Sequence, residues 1–205
     1  MERAEAIPKL NELLGQEMHS LAEKYNVTIY KDGKVNKGWA GHVFERHLEL
    51  PINSAQSPNF GSWELKQIPI KTLRNGQLAF KETMAVTMID PVNVMQKDFE
   101  NSHLLSKLKK AVVVVRLVGS NVDAPSYIHS IVEFDLHGEL YDEVKKDYDL
   151  VRNHLIQNNG DITTLTGKMG KYIQPRTKGA GHGSISRAFY ARPLFLAQFI
   201  HLNSK

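Results

Sequence analysis

Apolar residues recur at helical spacing in four parts of the chain. The first stripe steps by three or four residues, so it predicts one amphipathic helix with Pro8 in its first turn. This stripe consists of Ile7, Leu10, Leu14, Met18, Leu21 and Tyr25. Similar spacing predicts a short helix over about 39–48, another over 101–110 and a long helix over 140–155, and a last helix is expected from about Pro193.

Stretches with strand character lie between these helices. Residues 62–69 and 79–89 are predicted strands on either side of an Arg-Asn-Gly turn at 74–76. The unbroken valines within 111–118 predict a strand that is buried on both faces, and 127–134 alternates like a further strand. The Ser-, Asn- and Pro-rich segment 51–61 is predicted to be a loop, as is the C-terminal stretch with its glycines at 179, 181 and 183. The order of elements predicts an α/β or α+β fold, with a mixed central sheet flanked by helices.

The length and composition are those of an ordinary globular protein. A chain of 205 residues suits a single domain over 1–205, and 41% hydrophobic with 23% charged residues argues against a membrane-embedded or a disordered chain. The longest apolar run, at 111–115, is too short to cross a bilayer, and the charged first residues are unlike a signal peptide. Because cysteine is absent, disulfides and thiolate metal sites are excluded. We therefore expect a cytoplasmic protein without a membrane partner.

Positive charge is concentrated at the C-terminal end of the chain. Residues 162–205 contain seven Lys or Arg and no Asp or Glu. The rest of the chain contains the other 19 basic residues and all 22 acidic residues, so it carries a slight negative charge. Such a surface suits a polyanionic partner, because each phosphate that it neutralises releases condensed counterions. The alternative is a solvated basic face with no partner.

The segment with the most chemical information is the predicted strand that begins after 57–61. Residues two apart on a strand share a face, so Glu64 and Lys66 are expected to point together while Trp63 and Leu65 point into the core. A carboxylate can hold Mg²⁺ at a phosphodiester, and a neighbouring ammonium can orient or deprotonate the attacking water. Taken alone, the pair is also typical of exposed strands that carry solubilising charges.

The residues around this pair resemble the active site of the restriction-like nucleases, in particular their MutH and GATC-type branch. Pro58-Asn59-Phe60, Glu64-Leu65-Lys66 and Ile68-Pro69-Ile70 form the family's Pro-Asp…Glu-x-Lys string with one departure. Further family blocks follow in the same order at compatible spacing. They are Lys37-Gly38-Trp39-Ala40-Gly41 with Glu45, Asn75-Gly76 with Lys81-Glu82, Ser102-His103-Leu104 with Lys107, 172–179, and Arg187-Ala188-Phe189-Tyr190.

This resemblance implies a restriction-endonuclease-like core, with two lobes around a DNA cleft. The catalytic lobe would span roughly 30–135 and the C-terminal DNA-reading region roughly 160–205. The implied activity is Mg²⁺-dependent hydrolysis of phosphodiester bonds in double-stranded DNA, at a GATC-like site. The metal would be held by Glu64, residue 59 and the backbone carbonyl of Leu65, with Lys66 as the catalytic lysine.

The resemblance also implies roles for more distant residues. Glu45 would be an auxiliary carboxylate near the metal, and Lys37 and Lys107 would support the scissile phosphate. The positions expected to contact or sense the DNA site are Glu82, Arg176, Lys178, Arg187 and Tyr190. Each has a plainer interpretation: Glu45 as an exposed helix charge, Lys107 as part of a solvated face with Lys109 and Lys110, and Tyr190 as a packed aromatic residue.

The departure from the family pattern is Asn59, which stands where the family has aspartate. A neutral amide is a poorer ligand for a hard dication than a carboxylate. One hypothesis is that this is a deliberately disabled form whose native residue is aspartate, so that Asn59→Asp should restore Mg²⁺-dependent cleavage. The competing hypothesis is a catalytically silent member of the family that only binds DNA.

The segment Asn75-Gly76 with Lys81-Glu82 favours a type II restriction enzyme over a mismatch-repair nicking enzyme. Since one chain carries one active site, a double-strand break would require two copies on the duplex or two successive nicks.

Other hydrolytic and nucleotide-binding motifs are lacking. The histidines have no zinc-protease spacing, the glycine-rich stretch lacks the Lys-Ser/Thr of a P-loop, and no serine lies in a nucleophile elbow.

Overall fold

The computed structural model describes residues 1–49, 61–179 and 184–202. Within these ranges, the helices are α1 (Arg3–Asn11), α2 (Met18–Lys24), α3 (Trp39–His47), α4 (Pro91–Gln96), α5 (His103–Leu108), α6 (Gly138–Gln157) and α7 (Pro193–Leu196). The strands are β1 (Tyr30–Lys31), β2 (Lys34–Val35), β3 (Glu64–Thr72), β4 (Leu78–Phe80), β5 (Met84–Met88), β6 (Lys110–Val118), β7 (Ser126–Asp135), β8 (Ile173–Thr177) and β9 (Arg187–Ala191). The predicted α/β class is confirmed.

The central sheet is mixed, with strand order β4-β3-β6-β7. β3 and β6 are parallel, whereas β4 and β7 are antiparallel to their neighbours. As the valines predicted, β6 is buried on both faces. Val112 and Val114 pack against the N-terminal helices, and Val113 and Val115 pack against α5, α6 and the C-terminal elements. A mixed central sheet flanked by helices is therefore confirmed.

A second, antiparallel sheet with order β5-β9-β8 was not predicted. The expected single strand over 79–89 is wrong, because the chain leaves the central sheet after β4 and enters the second sheet with β5. The expectation that the stretch between Gly160 and the last helix, with its glycines at 179, 181 and 183, forms only loops is also wrong, since this region contributes β8 and β9. The predicted loop at 51–60 lies outside the described residues.

The N-terminal stripe forms two helices and not the one that was predicted. Gly15 has φ +74°, and its N–H donates to the carbonyl of Ile128 at 2.8 Å, which turns the chain out of helical geometry. The Glu17 carboxylate then accepts a hydrogen bond from the Ser20 N–H at 2.8 Å and begins α2. As a result Leu14 is exposed and Leu13 is buried in its place. Pro8 lies inside α1 and not in its first turn.

A buried carboxylate on α6 fixes the start of β8. Asp147 accepts hydrogen bonds from the backbone N–H groups of Lys171, Tyr172 and Ile173 at 2.7, 2.7 and 2.8 Å. Gly170 precedes them with φ +77°, and a Cβ there would lie 1.9 Å from the Ile173 carbonyl oxygen. The second sheet is therefore anchored to the helix that covers the central one. Among the helices in the described ranges, none has the length and apolar character needed to cross a bilayer.

Candidate active site

Glu64 and Lys66 lie side by side at the start of β3. The Lys66 Nζ is 2.7 Å from Glu64 Oε1, so the prediction that the two side chains share a face is confirmed. Trp63 and Leu65 alternate with them and are buried against the N-terminal helices, also as predicted. Glu64 is only 1% exposed. The pair is therefore not a solubilising surface pair, because a buried carboxylate needs partners inside the protein.

Lys107, on α5, provides a second ammonium for the same carboxylate. Its Nζ is 3.0 Å from Glu64 Oε2, although the two residues are far apart in sequence. With 5% exposure Lys107 is buried, so its interpretation as part of a solvated face is wrong. Burial lowers the pKa of Lys107, and the attraction of Glu64 opposes this shift. Two positive groups therefore flank one negative group.

Lys66 also connects the two sheets. Its Nζ donates to the backbone carbonyl of Val86 on β5 at 3.1 Å, in addition to its ion pair with Glu64. The orientation of the ammonium is thus fixed from the central sheet and from the second sheet. The candidate site lies where these sheets meet, and a shift of either sheet would move the ammonium relative to the carboxylate.

Glu45 places a second carboxylate near Glu64. It lies on α3 and is half-buried, and its Oε2 is enclosed without a hydrogen-bond partner among the described residues. Burial and the negative charge of Glu64 raise the pKa of Glu45, while His42 and Lys66 act in the opposite direction. The interpretation of Glu45 as an exposed helix charge is wrong.

These two carboxylates are chemically suited to a hard divalent cation. Glu45 and Glu64 offer oxygen donors, and the enclosed Oε2 of Glu45 lacks the positive partner that a cation would supply. Over 1–49, 61–179 and 184–202, no group of three or more His, Asp or Glu side chains is arranged to hold a metal. The third predicted side-chain ligand, Asn59, lies outside the described residues. The donors that are described fit the predicted Mg²⁺.

Part of the predicted DNA-reading set lies near this site. Burial and the like charge of Lys66 lower the pKa of Lys178, so the two ammonium groups lie close enough to repel each other. Arg176 donates from Nη1 to the Thr83 Oγ1 at 3.0 Å, and its guanidinium carbon lies 5.8 Å from the centroid of the Tyr190 ring. Burial and Glu82 raise the pKa of Tyr190, against the effect of Arg176. Arg176, Tyr190 and Glu82 therefore form one cluster on the second sheet.

Two other predicted residues are not brought into these clusters. Arg187 donates to the backbone carbonyls of Ile185 at 2.9 Å and of Leu165 and Thr163 at 3.5 Å, so its guanidinium is used within the chain. Lys37 is exposed in the segment before α3 and, in the part of the chain that is described, forms no ion pair. Their predicted contacts with DNA stay predictions.

Sequence reasoning missed one buried charged residue of the central sheet. Arg116 is buried in β6, and its Nε donates to the Gln67 Oε1 at 2.9 Å, on the sheet face opposite Lys66. The signal was present, because Arg116 is the one charge that interrupts an apolar run from 111 to 118. It was overlooked because the residue matched none of the family blocks.

Comparison with known proteins identifies relatives of this chain. A sequence model of the family described as DNA mismatch repair enzyme MutH matches residues 48–147, which include β3, α5 and β6. The type II restriction enzyme Sau3AI of Staphylococcus aureus is 26% identical over 163 residues, covering 77% of this chain but only 33% of that enzyme.

The DNA mismatch repair protein MutH of Histophilus somni (strain 2336) is 23% identical over 221 residues, covering 97% of this chain and 93% of the relative. The MutH protein of Vibrio vulnificus (strain YJ016) is 25% identical, with coverages of 96% and 92%. The chain is therefore similar to MutH proteins and to a type II restriction enzyme, and the resemblance inferred from the Pro-Asn…Glu-x-Lys string is confirmed.

Proposed function

We propose that the protein is a DNA endonuclease that hydrolyses phosphodiester bonds in double-stranded DNA with Mg²⁺. The observation that carries this proposal is the Glu64 centre. A buried carboxylate is held by the ammonium groups of Lys66 and Lys107, beside Glu45, whose enclosed Oε2 has no hydrogen-bond partner among the described residues. An unpaired buried polar atom costs about 1–3 kcal/mol, and a cation bound by the two carboxylates would remove this cost.

The chain's own residues would divide the work as follows. Lys66 is fixed by Glu64 and by the Val86 carbonyl, so its remaining N–H can donate to the attacking water and orient it. Lys107, whose pKa is lowered by burial, would support the charge on the scissile phosphate. The metal would be held by Glu64, Glu45, the Leu65 carbonyl and residue 59. When bound there, Mg²⁺ would polarise the phosphate and lower the pKa of a bound water.

The DNA duplex would be contacted mainly by the basic C-terminal region. Lys178 is close enough to Lys66 for their charges to repel, and Arg176 and Tyr190 lie on the second sheet, with Glu82 in the segment that leads into it. Arginine and lysine suit phosphates and guanine edges in the major groove. We include Lys37 and Arg187 as DNA contacts on the family resemblance alone.

We favour a type II restriction enzyme with a GATC-like site. The segment Asn75-Gly76 with Lys81-Glu82 supports this choice, as does the similarity to Sau3AI, whose name describes such an enzyme. A mismatch-repair nicking enzyme is the second candidate. It is favoured by the coverage of the relatives, because the matches to MutH extend over more than nine tenths of both chains whereas a third of Sau3AI is matched.

Cleavage of a supercoiled plasmid containing GATC sites tests the activity and separates the candidates. The protein and its Asn59→Asp variant would be incubated with the plasmid in Mg²⁺, and in EDTA as a control. Asn59→Asp supplies a carboxylate to the site, so we expect cleavage to rise by about 10²-fold or more. Linear product would indicate a restriction enzyme acting through two copies on the duplex or two successive nicks, and open circles alone would indicate nicking.

The absence of any cleavage by either protein, in Mg²⁺ or Mn²⁺, would contradict the proposal. Salt-sensitive binding without cleavage would then support the catalytically silent DNA-binding protein. Gel filtration with and without a GATC duplex would show whether two copies assemble on DNA, as the restriction-enzyme hypothesis with a concerted double-strand break expects.

A further inference from the structure

Arg116 is a charged residue in an apolar strand. It follows the four valines at 112–115 of β6 and is only 7% exposed. Burial lowers the pKa of Arg116 to about 10, and the negative charge of Glu82 opposes this shift. Removing an ionised group from water is unfavourable unless other groups replace the lost hydration. The residue therefore raises the question of which groups satisfy its guanidinium.

Two contacts hold one side of the guanidinium in place. The Nε donates to the Gln67 Oε1 at 2.9 Å on β3, and the guanidinium carbon lies 5.6 Å from the centroid of the Trp39 ring on α3. A β-bulge between Val115 and Arg116 alters the register with β7 at this point. Since a hydrogen bond and an aromatic face both restrain it, the planar group has a fixed orientation before any ligand arrives.

The other side of the guanidinium has no such partners. Within the described residues, the terminal Nη atoms of Arg116 form no hydrogen bond, and they are not among the fully enclosed unpaired atoms. Glu82 is near enough to affect the pKa of Arg116 but forms no direct ion pair with it in this part of the chain. Arginine carries N–H donors in a fixed fork that matches two phosphate oxygens. The Nη atoms are thus available to an anion.

Gln67 and Trp39 hold the guanidinium on the face of the central sheet opposite Lys66. Arg116 pairs with Pro69, whose carbonyl accepts a hydrogen bond from the Lys81 N–H at 2.9 Å, so the segment that carries Glu82 passes close to Arg116. Glu82 acts on Arg116 and on Tyr190, and Glu82, Tyr190 and Arg176 are positions expected to contact DNA. We propose that the Nη atoms of Arg116 bind a backbone phosphate of the DNA duplex, close to the strand that carries Glu64 and Lys66. This inference rests on the proposed function, and it adds a contact that positions the duplex without reading its sequence.

The salt dependence of DNA binding tests this contact. Binding of the protein and of R116M and R116K would be measured by fluorescence anisotropy over a series of salt concentrations, with Ca²⁺ in place of Mg²⁺. One labelled duplex would contain GATC and a second would have the same composition in scrambled order. For R116M we expect the slope of log K against log salt to become shallower by about 1, equally for both duplexes. Affinity should fall by about tenfold or more, since a charged hydrogen bond is lost.

Two variants control for charge and for packing. R116K keeps the charge and should keep the slope, with weaker binding because lysine lacks the fork. R74M removes an exposed positive charge from the turn between β3 and β4, and it should change the slope less than R116M. Equal changes in R74M and R116M would overturn the proposal, because net charge and not a contact would then explain them.

A purely structural role for Arg116 gives a different result. R116M would then unfold at a lower temperature, yet bind both duplexes with the slope of the unchanged protein, and the proposal would be wrong. If R116M does not fold, Gln67→Leu releases the Nε contact but keeps the charge. It should weaken binding of both duplexes without changing the slope, and unchanged affinity would overturn the proposal. Failure of the unchanged protein to bind either duplex would instead contradict the proposed function.

Discussion

Glu64 and Asp147 are both buried carboxylates, but they receive their hydrogen bonds from different kinds of donor. Asp147 accepts three backbone N–H groups at 2.7–2.8 Å, and these donors are neutral and fixed by the fold. Glu64 is held by the ammonium groups of Lys66 and Lys107, which are charged and lie at the ends of flexible side chains. Glu64 is therefore neutralised by charged side chains, whereas Asp147 is held by the backbone of the fold.

The surroundings of the Asp147 and Glu64 carboxylates also differ in the space that they leave for a ligand. Asp147 lies where Gly170 and the start of β8 leave no space for a ligand. Glu64 lies beside Glu45, whose enclosed oxygen has no partner in the described part of the chain. Strain and unpaired groups are typical of functional sites, where the rest of the fold supplies the stability that they cost. The comparison therefore predicts that substitutions at Glu64 and Asp147 separate activity from stability.

The largest effect is expected for Glu64→Gln, made in the Asn59→Asp variant so that cleavage can be measured. The amide oxygen can accept a hydrogen bond from one of the two lysines, while the neutral amide binds a hard cation weakly. We expect plasmid cleavage to fall by about 10³-fold, the upper range for loss of one electrostatic group at a reacting centre. Circular dichroism would establish that the variant is folded. A variant that is folded and cleaves at the starting rate would contradict the assignment of Glu64.

Asp147→Asn should have the opposite profile. An amide presents an NH₂ group to at least one of the three backbone donors, so one N–H is left unsatisfied and the charged hydrogen bonds are weakened. We expect a loss of about 2 kcal/mol in the free energy of unfolding, which lowers the unfolding temperature by roughly 4–8 °C. Thermal unfolding followed by circular dichroism measures this.

Because Asp147 positions β8, which carries Arg176, the same variant should also bind DNA more weakly. Its cleavage rate at saturating DNA should stay within about tenfold of the starting protein, since no group at the Glu64 centre is changed. A loss of cleavage as large as that of Glu64→Gln, in a folded protein, would show that the two carboxylates do not differ in the proposed way.

The parts of the fold that the sequence predicted were those set by local periodicity. Glu64 and Lys66 are two residues apart on a strand, so their shared face follows from strand geometry alone. The burial of β6 on both faces follows equally from its run of valines. The break between α1 and α2 was missed because it depends on a positive φ at Gly15, and glycine is tolerated in a helical pattern at moderate cost.

Contacts between distant segments were accessible only through the family resemblance or not at all. Lys107 reaches Glu64 from α5, and the resemblance placed it near the phosphate, whereas its own sequence context, next to Lys109 and Lys110, suggested a solvated face. The partition of 79–89 between two sheets depends on pairing of β5 with β9, about 100 residues later in the chain. The contacts of Arg116 and Asp147 were also out of reach, because the sequence next to each residue does not show which distant group it binds.

The smallest expected effect is that of Glu45→Gln on the unfolding temperature. It extends the comparison of Glu64 with Asp147, because removal of this carboxylate should stabilise the protein. The pKa of Glu45 is raised by burial and by Glu64. A carboxyl whose pKa is higher in the folded than in the unfolded chain reduces stability above its unfolded pKa of about 4.3, and this penalty disappears as the pH falls below that value. Glu45→Gln should therefore raise the unfolding temperature at neutral pH, on the order of 2 °C.

The same substitution should have no stabilising effect near pH 4, where the Glu45 carboxyl binds a proton in both states. Adding Mg²⁺ at neutral pH should reverse the order of the two proteins, since a cation bound by Glu45 and Glu64 stabilises only the protein that keeps both carboxylates. Thermal unfolding at both pH values, with and without Mg²⁺, measures all four conditions. Equal unfolding temperatures throughout would mean that the enclosed oxygen of Glu45 neither reduces stability nor takes part in binding the metal.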